Sequence, residues 1–177
     1  MSKKREQLLE QSERLFDKHG FHTVGLKQII KQSGVALMTL YNHFDSKEDL
    51  ILEVLKRRET RYLNSLNDAM DKKTNAELAQ ALAKAHMDWI RSYDSNGCMF
   101  LRAKEEFSLE QSENSEIVGF AEAHKNHLLT FFQEKGLDIR EAIRLVLLFE
   151  GATALAEVFE VETVAQELAY SVEKLFS

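Results

Sequence analysis

Residues 33–50 read SGVALMTLYNHFDSKEDL. The chain around them is acidic, with a formal net charge of −6. This stretch nevertheless interleaves Leu37, Met38, Tyr41 and Phe44 with Thr39, Asn42, His43 and Lys47. A merely solvated helix has no need of such side chains, because Glu, Lys and Ala hydrate better and favour helix more. The residues just upstream make sense of it. Leu26, Ile29 and Ile30 give a short helix over 26–33 one apolar face, and Gly34 can end it in the left-handed conformation. Only Gly34, Val35 and Ala36 separate it from a third helix over 37–43. Two short helices joined by three residues containing glycine predict a helix-turn-helix.

In that motif the second helix lies in the major groove of DNA and presents its first residues to base edges. Val35, Leu40 and Phe44 are then the inward residues that lock it to its neighbours. Leu37 and Met38 face outward, suited to thymine methyl groups, and Asn42 offers the amide pair that adenine accepts. Thr39, Tyr41 and His43 carry hydrogen-bonding groups for phosphate oxygens. Lys47, at the start of the next helix, adds a charge for a phosphate. Lys27 and Gln28, early in the second helix, are placed for the DNA backbone or a base edge.

The rest of the chain reads as helix. It has no Pro, seven Gly and 44% hydrophobic residues, a composition of helix formers with enough apolar content for a core. Leu8, Leu9, Ser12, Leu15, Phe16 and His19 recur at spacings of three and four, predicting a first helix over 3–19 that stops at Gly20. Asp45 or Ser46 caps a fourth helix that runs to about residue 71, with Glu48 and Asp49 in its first turn. Further helices are expected over 76–93, 98–109, 116–135, 138–159 and 162–176, with loops at 92–97 and 110–115. The fold class is therefore all-α. Residues 1–47 are expected to form a helix-turn-helix domain, and residues 48–177 a helical regulatory and dimerisation domain.

Charge divides the same way. Residues 1–60 hold eleven Lys and Arg against nine Asp and Glu, whereas residues 61–177 hold twelve against twenty. Such asymmetry suits a first segment that meets a polyanion. Cys98 is the lone cysteine, which excludes an internal disulfide framework and fits a reducing compartment. MSKKREQLLEQ lacks the apolar run of a secretory signal, and no stretch has the apolar length of a membrane span. A cytoplasmic protein with no membrane association is the simplest expectation.

Leu145, Val146, Leu147, Leu148 and Phe149 are five consecutive apolar residues, so the 138–159 helix is apolar on every side there. A helix of that kind must be covered all round. In a short chain a second copy supplies the cover, which predicts a homodimer built on 138–159 and 162–176; a central helix of a larger monomeric bundle is the alternative.

Gly20-Phe21, Gly34-Val35, TLYNHF (39–44) and SKEDL (46–50) together resemble the N-terminal domain of the TetR family of bacterial transcriptional regulators, over about residues 5–55. The resemblance implies phosphate or groove contacts for Thr39, Tyr41, His43 and Lys47. It also implies a homodimeric regulator of operator DNA, with a small-molecule effector bound in the C-terminal helices. Repression by occlusion of a near-palindromic operator is the mode it suggests. Three positions depart from the family pattern. Val24-Gly25 stand where a Ser or Thr hydroxyl often caps the second helix, Ile30 replaces a small residue, and so does Met38.

Trp89, Phe107 and His124 are the pocket candidates, as aromatic and polar side chains in the helices that would enclose an effector. His86, His124 and His127 find no third ligand by spacing, so no metal is expected, and no cofactor motif is present. Cys98, after Asn96-Gly97 at a helix start, is either a buried small hydrophobe or a thiol sensor. No Glu-x-x-His pair, Cys/His pair or Gly-rich phosphate loop supports an enzyme. A helical protein–protein adaptor is the remaining alternative.

Overall fold

The computed structural model describes residues 2–69, 74–93, 96–108 and 115–176. Among these residues there are nine α-helices and no strand: α1 (Lys3–His19), α2 (Leu26–Ser33), α3 (Leu37–Tyr41), α4 (Lys47–Asp68), α5 (Asn75–Arg91), α6 (Met99–Phe107), α7 (Ser115–Glu134), α8 (Ile139–Leu155) and α9 (Val161–Phe176).

Most boundaries follow from local chemistry. Ser2 caps α1 by accepting the Arg5 N–H at 3.2 Å, and α1 ends at Gly20, where φ is +80°. Thr74 and Asp138 open α5 and α8 with full capping boxes, Glu77 and Glu141 returning the bond to the cap residue. Ser46 rather than Asp45 caps α4, accepting from the Asp49 N–H at 3.0 Å. Several helices are shorter than their sequence patterns suggest. The α3 helix stops at Tyr41, and Asn42 and His43 continue in a turn. The α4 helix ends at Asp68, and the expected residues 70 and 71 fall outside the described ones. So do 94–95 and 110–114 of the two expected loops. At Ala156 the end of α8 is marked by the cap amide bonding back to Ala152 and Ala154, and Val158 and Phe159 lie beyond it. Apolar periodicity runs on past a helix end wherever the adjoining turn also buries or presents apolar side chains.

The chain divides into two compact units: residues 1–59 with 99–123, and residues 60–98 with 124–177. In the first, α1, α2 and α3 pack around Leu8, Leu9, Phe16, Phe21, Ile29, Leu40, Phe44, Leu50 and Ile51, all nearly or fully buried. This unit also contains α6 and the first part of α7. In the second, α5 packs on α8 and α9 over a core of Leu82, Met87, Leu128, Phe132, Leu145, Phe149, Leu168 and Val172. Among the described residues no helix is long and apolar enough to cross a membrane.

The apolar run of α8 is only partly covered within the chain. Leu145 and Phe149 are buried and Val146 and Leu148 half-buried, but Leu147 is 67% exposed. Ile139, Ile143 and Leu155 are exposed on the same helix, as are Val158 and Phe159 just beyond it.

Candidate nucleic-acid interface

Burial of three side chains decides how α3 is presented. Val35, Leu40 and Phe44 are 6%, 0% and 1% exposed, so one side of the turn and helix is fixed into the core. The helical spacing then sends Leu37, Met38, Tyr41 and Asn42 to the surface, with Met38 72% exposed. Thr39 and His43 are less open than these. Lys27 and Gln28 lie in the first turn of α2. That helix starts at Gly25 with no side-chain cap, as Val24-Gly25 imply. Gly34 adopts φ +64°, the left-handed geometry that the tight α2–α3 turn requires.

Two of the candidate contacts are held by partners that the sequence does not signal. The Nε2 of His43 lies 3.2 Å from the hydroxyl of Ser2, so the cap of α1 also touches the turn that follows α3. Lys47 is half-buried, and its ammonium donates to the Phe21 carbonyl at 2.7 Å. An ammonium has three hydrogens, so this bond locates the charge without using all of it.

Charged residues fasten α1 to α4 beneath this surface. Buried Glu13 accepts from Arg57 at 3.1 Å and from Arg58 at 3.3 Å, and Arg58 also meets Asp17 at 3.0 Å. Arg5 pairs with Glu53 at 2.6 Å and lies over the Phe44 ring, 5.2 Å from its centroid. Buried ion pairs of this kind fix geometry more than they add stability, because each charge gives up its hydration to enter.

The second unit holds most of the pocket candidates. Tyr62 has its ring 5.2 Å from Trp89 and 6.3 Å from His124, which is buried. Its hydroxyl meets His86 Nδ1 at 2.8 Å. His86 Nε2 lies 3.1 Å from the Phe149 carbonyl, so Nε2 carries the proton and Nδ1 accepts from Tyr62. Burial pulls the His86 imidazole down to about 3, against the Phe149 bond, and pushes the Tyr62 phenol well above its ordinary value. Glu150 pairs with Lys125, whose ammonium is also 3.5 Å from Cys98 Sγ. Phe107 does not join this group. It belongs to the first unit, where its ring fills the space beside Phe21 and His22 at 5.8 and 4.8 Å. Among the described residues no group of three or more His, Cys, Asp or Glu could hold a metal ion.

Known proteins match this chain in sequence and in fold. Residues 8–54 fit the family model described as bacterial regulatory proteins, tetR family. Over that segment the chain carries a tetR-family domain. It is similar to the HTH-type transcriptional activator FasR of Mycolicibacterium smegmatis, 34% identical over 95 residues that cover 53% of this chain and 43% of that protein. The fatty acid metabolism regulator protein of Bacillus subtilis is 23% identical over 147 residues, 79% of this chain and 76% of its own. Among solved structures, SCO4454, a TetR-family transcriptional regulator from Streptomyces coelicolor, superposes with a TM-score of 0.85 at 28% identity, covering 98% of this chain and 94% of that one. The chain spans less than half the length of FasR. The relatives it matches are named as transcriptional regulators.

Proposed function

We propose that this chain is a tetR-family, DNA-binding transcriptional regulator that works as a homodimer on a near-palindromic operator. The observation carrying this reading is the two-sided α3: Val35, Leu40 and Phe44 are buried while Leu37, Met38, Tyr41 and Asn42 face out. Leu37, Met38 and Asn42 read base edges, with Met38 reaching furthest. Thr39, Tyr41, His43 and Lys47 hold the phosphates, and Lys27 and Gln28 extend the contact from α2.

The homodimer forms through α8 and α9. Its support is the uncovered apolar surface there, together with a groove of about 350 Å³ lined by Leu147, Leu148, Leu155, Phe159, Val164 and Leu168, among others. The regulator acts in the cytoplasm and represses by occlusion. A small-molecule effector binds in the second unit near Trp89 and His124 and shifts the protein towards a conformation of lower operator affinity. The functional boundary lies near residue 47, with the DNA-reading surface before it.

Selection of bound sequences from random duplex DNA tests the reading. The expected product is a two-fold symmetric motif with half-sites about one helical turn apart. Wild-type protein that enriches no symmetric motif would remove it.

A further inference from the structure

We propose that Glu106 on α6 is a positioning residue for DNA binding, acting on Lys47 through a single peptide group. That group joins Phe21 to His22. Its N–H, on His22, donates to Glu106 Oε2 at 2.7 Å, and its carbonyl, on Phe21, accepts from the Lys47 ammonium at 2.7 Å. A trans peptide points these two atoms in opposite directions, so a carboxylate and an ammonium are joined end to end through it. Both bonds are charge-assisted, and the carboxylate polarises the peptide so that its carbonyl holds the ammonium more firmly.

The rest of α6 keeps that carboxylate in place. Glu106 Oε1 accepts from the Phe21 N–H at 3.1 Å, and the Glu106 carbonyl accepts from His22 Nε2 at 2.7 Å. Phe107 lies against both Phe21 and His22. Arg102, one turn earlier, donates to the Asp17 carbonyl at 2.7 Å and to the Phe16 carbonyl at 3.3 Å. Gly20 makes the approach possible: a Cβ there would stand 2.8 Å from Glu106 Oε1, on a backbone with φ +80°. Three consecutive positions of the α1–α2 turn thus conform to one side chain of α6. The inference rests on the reading of Lys47 as a phosphate contact.

Duplex affinity measured across a salt series tests it, with the symmetric motif recovered by selection as probe. Lys47→Ala is expected to reduce the log–log salt slope by about 0.9 for each phosphate it no longer neutralises. Glu106→Gln keeps the size of the side chain but replaces one acceptor oxygen by an NH2 donor, and is expected to weaken binding by about tenfold, the equivalent of one charge-assisted hydrogen bond. It is also expected to lower the slope. Added to Lys47→Ala it should cost nothing more, because both changes act on the same phosphate. Simple charge removal has the opposite sign, since taking a carboxylate from a DNA-binding unit strengthens attraction to phosphate. Glu105→Gln, at the exposed neighbouring position, is therefore expected to leave binding unchanged or tighter. Glu106→Ala gives a second reading of the same interaction, and thermal unfolding checks that each variant is folded. Wild-type affinity for folded Glu106→Gln, additivity with Lys47→Ala, or an equal weakening by Glu105→Gln would each overturn the assignment. A wild-type protein that recovers no motif overturns the regulator reading itself, which is a separate result.

Discussion

At the residue scale the chain separates side chains left open to solvent from side chains held by partners within the fold. Met38 stands open to solvent, whereas Lys47 and His43 are steered by Phe21 and Ser2. The outward set was legible in the sequence, because burial of Val35, Leu40 and Phe44 fixes it by helical geometry alone. The partners were not legible: Glu106 lies 84 residues from His22, and a long-range polar contact leaves no periodic trace. His86 is another such case. A histidine late in α5 gives no sign that it will accept from Tyr62, donate to Phe149 and lie stacked on that ring at 4.1 Å. Burial holds its folded pKa near 3 against an ordinary 6.5. Between those values the unfolded chain binds a proton that the folded chain refuses, so stability falls as pH falls through this window. By this group alone, unfolding in urea should need about 2 kcal/mol less at pH 5 than at pH 7. His86→Gln keeps a donor and an acceptor without a titrating ring, and should flatten that part of the profile. An unchanged profile would show that His86 is not the group responsible.

At the scale of elements, capping residues and glycines set many of the helix ends, and of these Gly20, Gly34 and Ser46 were read from the sequence while Ser2, Thr74 and Asp138 were not. Ser2, Gly20, Gly34, Ser46, Thr74 and Asp138 each act through atoms within a few residues of themselves. Where a helix end depends instead on the turn beyond it, as at Tyr41 and Leu155, apolar spacing overruns the boundary. Gly34 offers a clean test of the turn. Its φ is +64°, and an added Cβ would meet nothing within 4 Å, so alanine there costs backbone strain without a clash. Gly34→Ala should lose about 1–2 kcal/mol, the ordinary penalty for an L-residue in the left-handed region. The unfolding temperature should then fall by about 2–8 °C for a chain of this size. Gly34→Asn should recover part of the stability, because asparagine tolerates that conformation. Equal stability of all three proteins would mean that the turn relaxes to another geometry.

For the whole molecule, the apolar surface still in need of cover lies on α8 and α9. The sequence predicted that α8 must be covered on all sides, and within one chain Leu147, Leu155 and Phe159 remain 67%, 47% and 59% exposed. Single exposed apolar residues are ordinary, but these line a common groove with Leu148, Val164 and Leu168, and a continuous apolar patch is unfavourable in water. A second copy meeting the same face through a two-fold axis would bury it, and two-fold symmetry is also what a palindromic operator demands. Leu147→Arg places a charge at the most exposed point of the α8 groove while leaving the buried Leu145 and Phe149 in place. Sedimentation should show a monomer of unchanged helicity, and the unfolding temperature should lose its dependence on protein concentration. Operator affinity should fall steeply because one recognition helix engages only one half-site, while weak binding to random duplex should fall much less. A Leu147→Arg protein that sediments as a dimer and binds its operator like wild type would move the dimer interface away from α8, and would leave the exposed face of this helix needing a different partner.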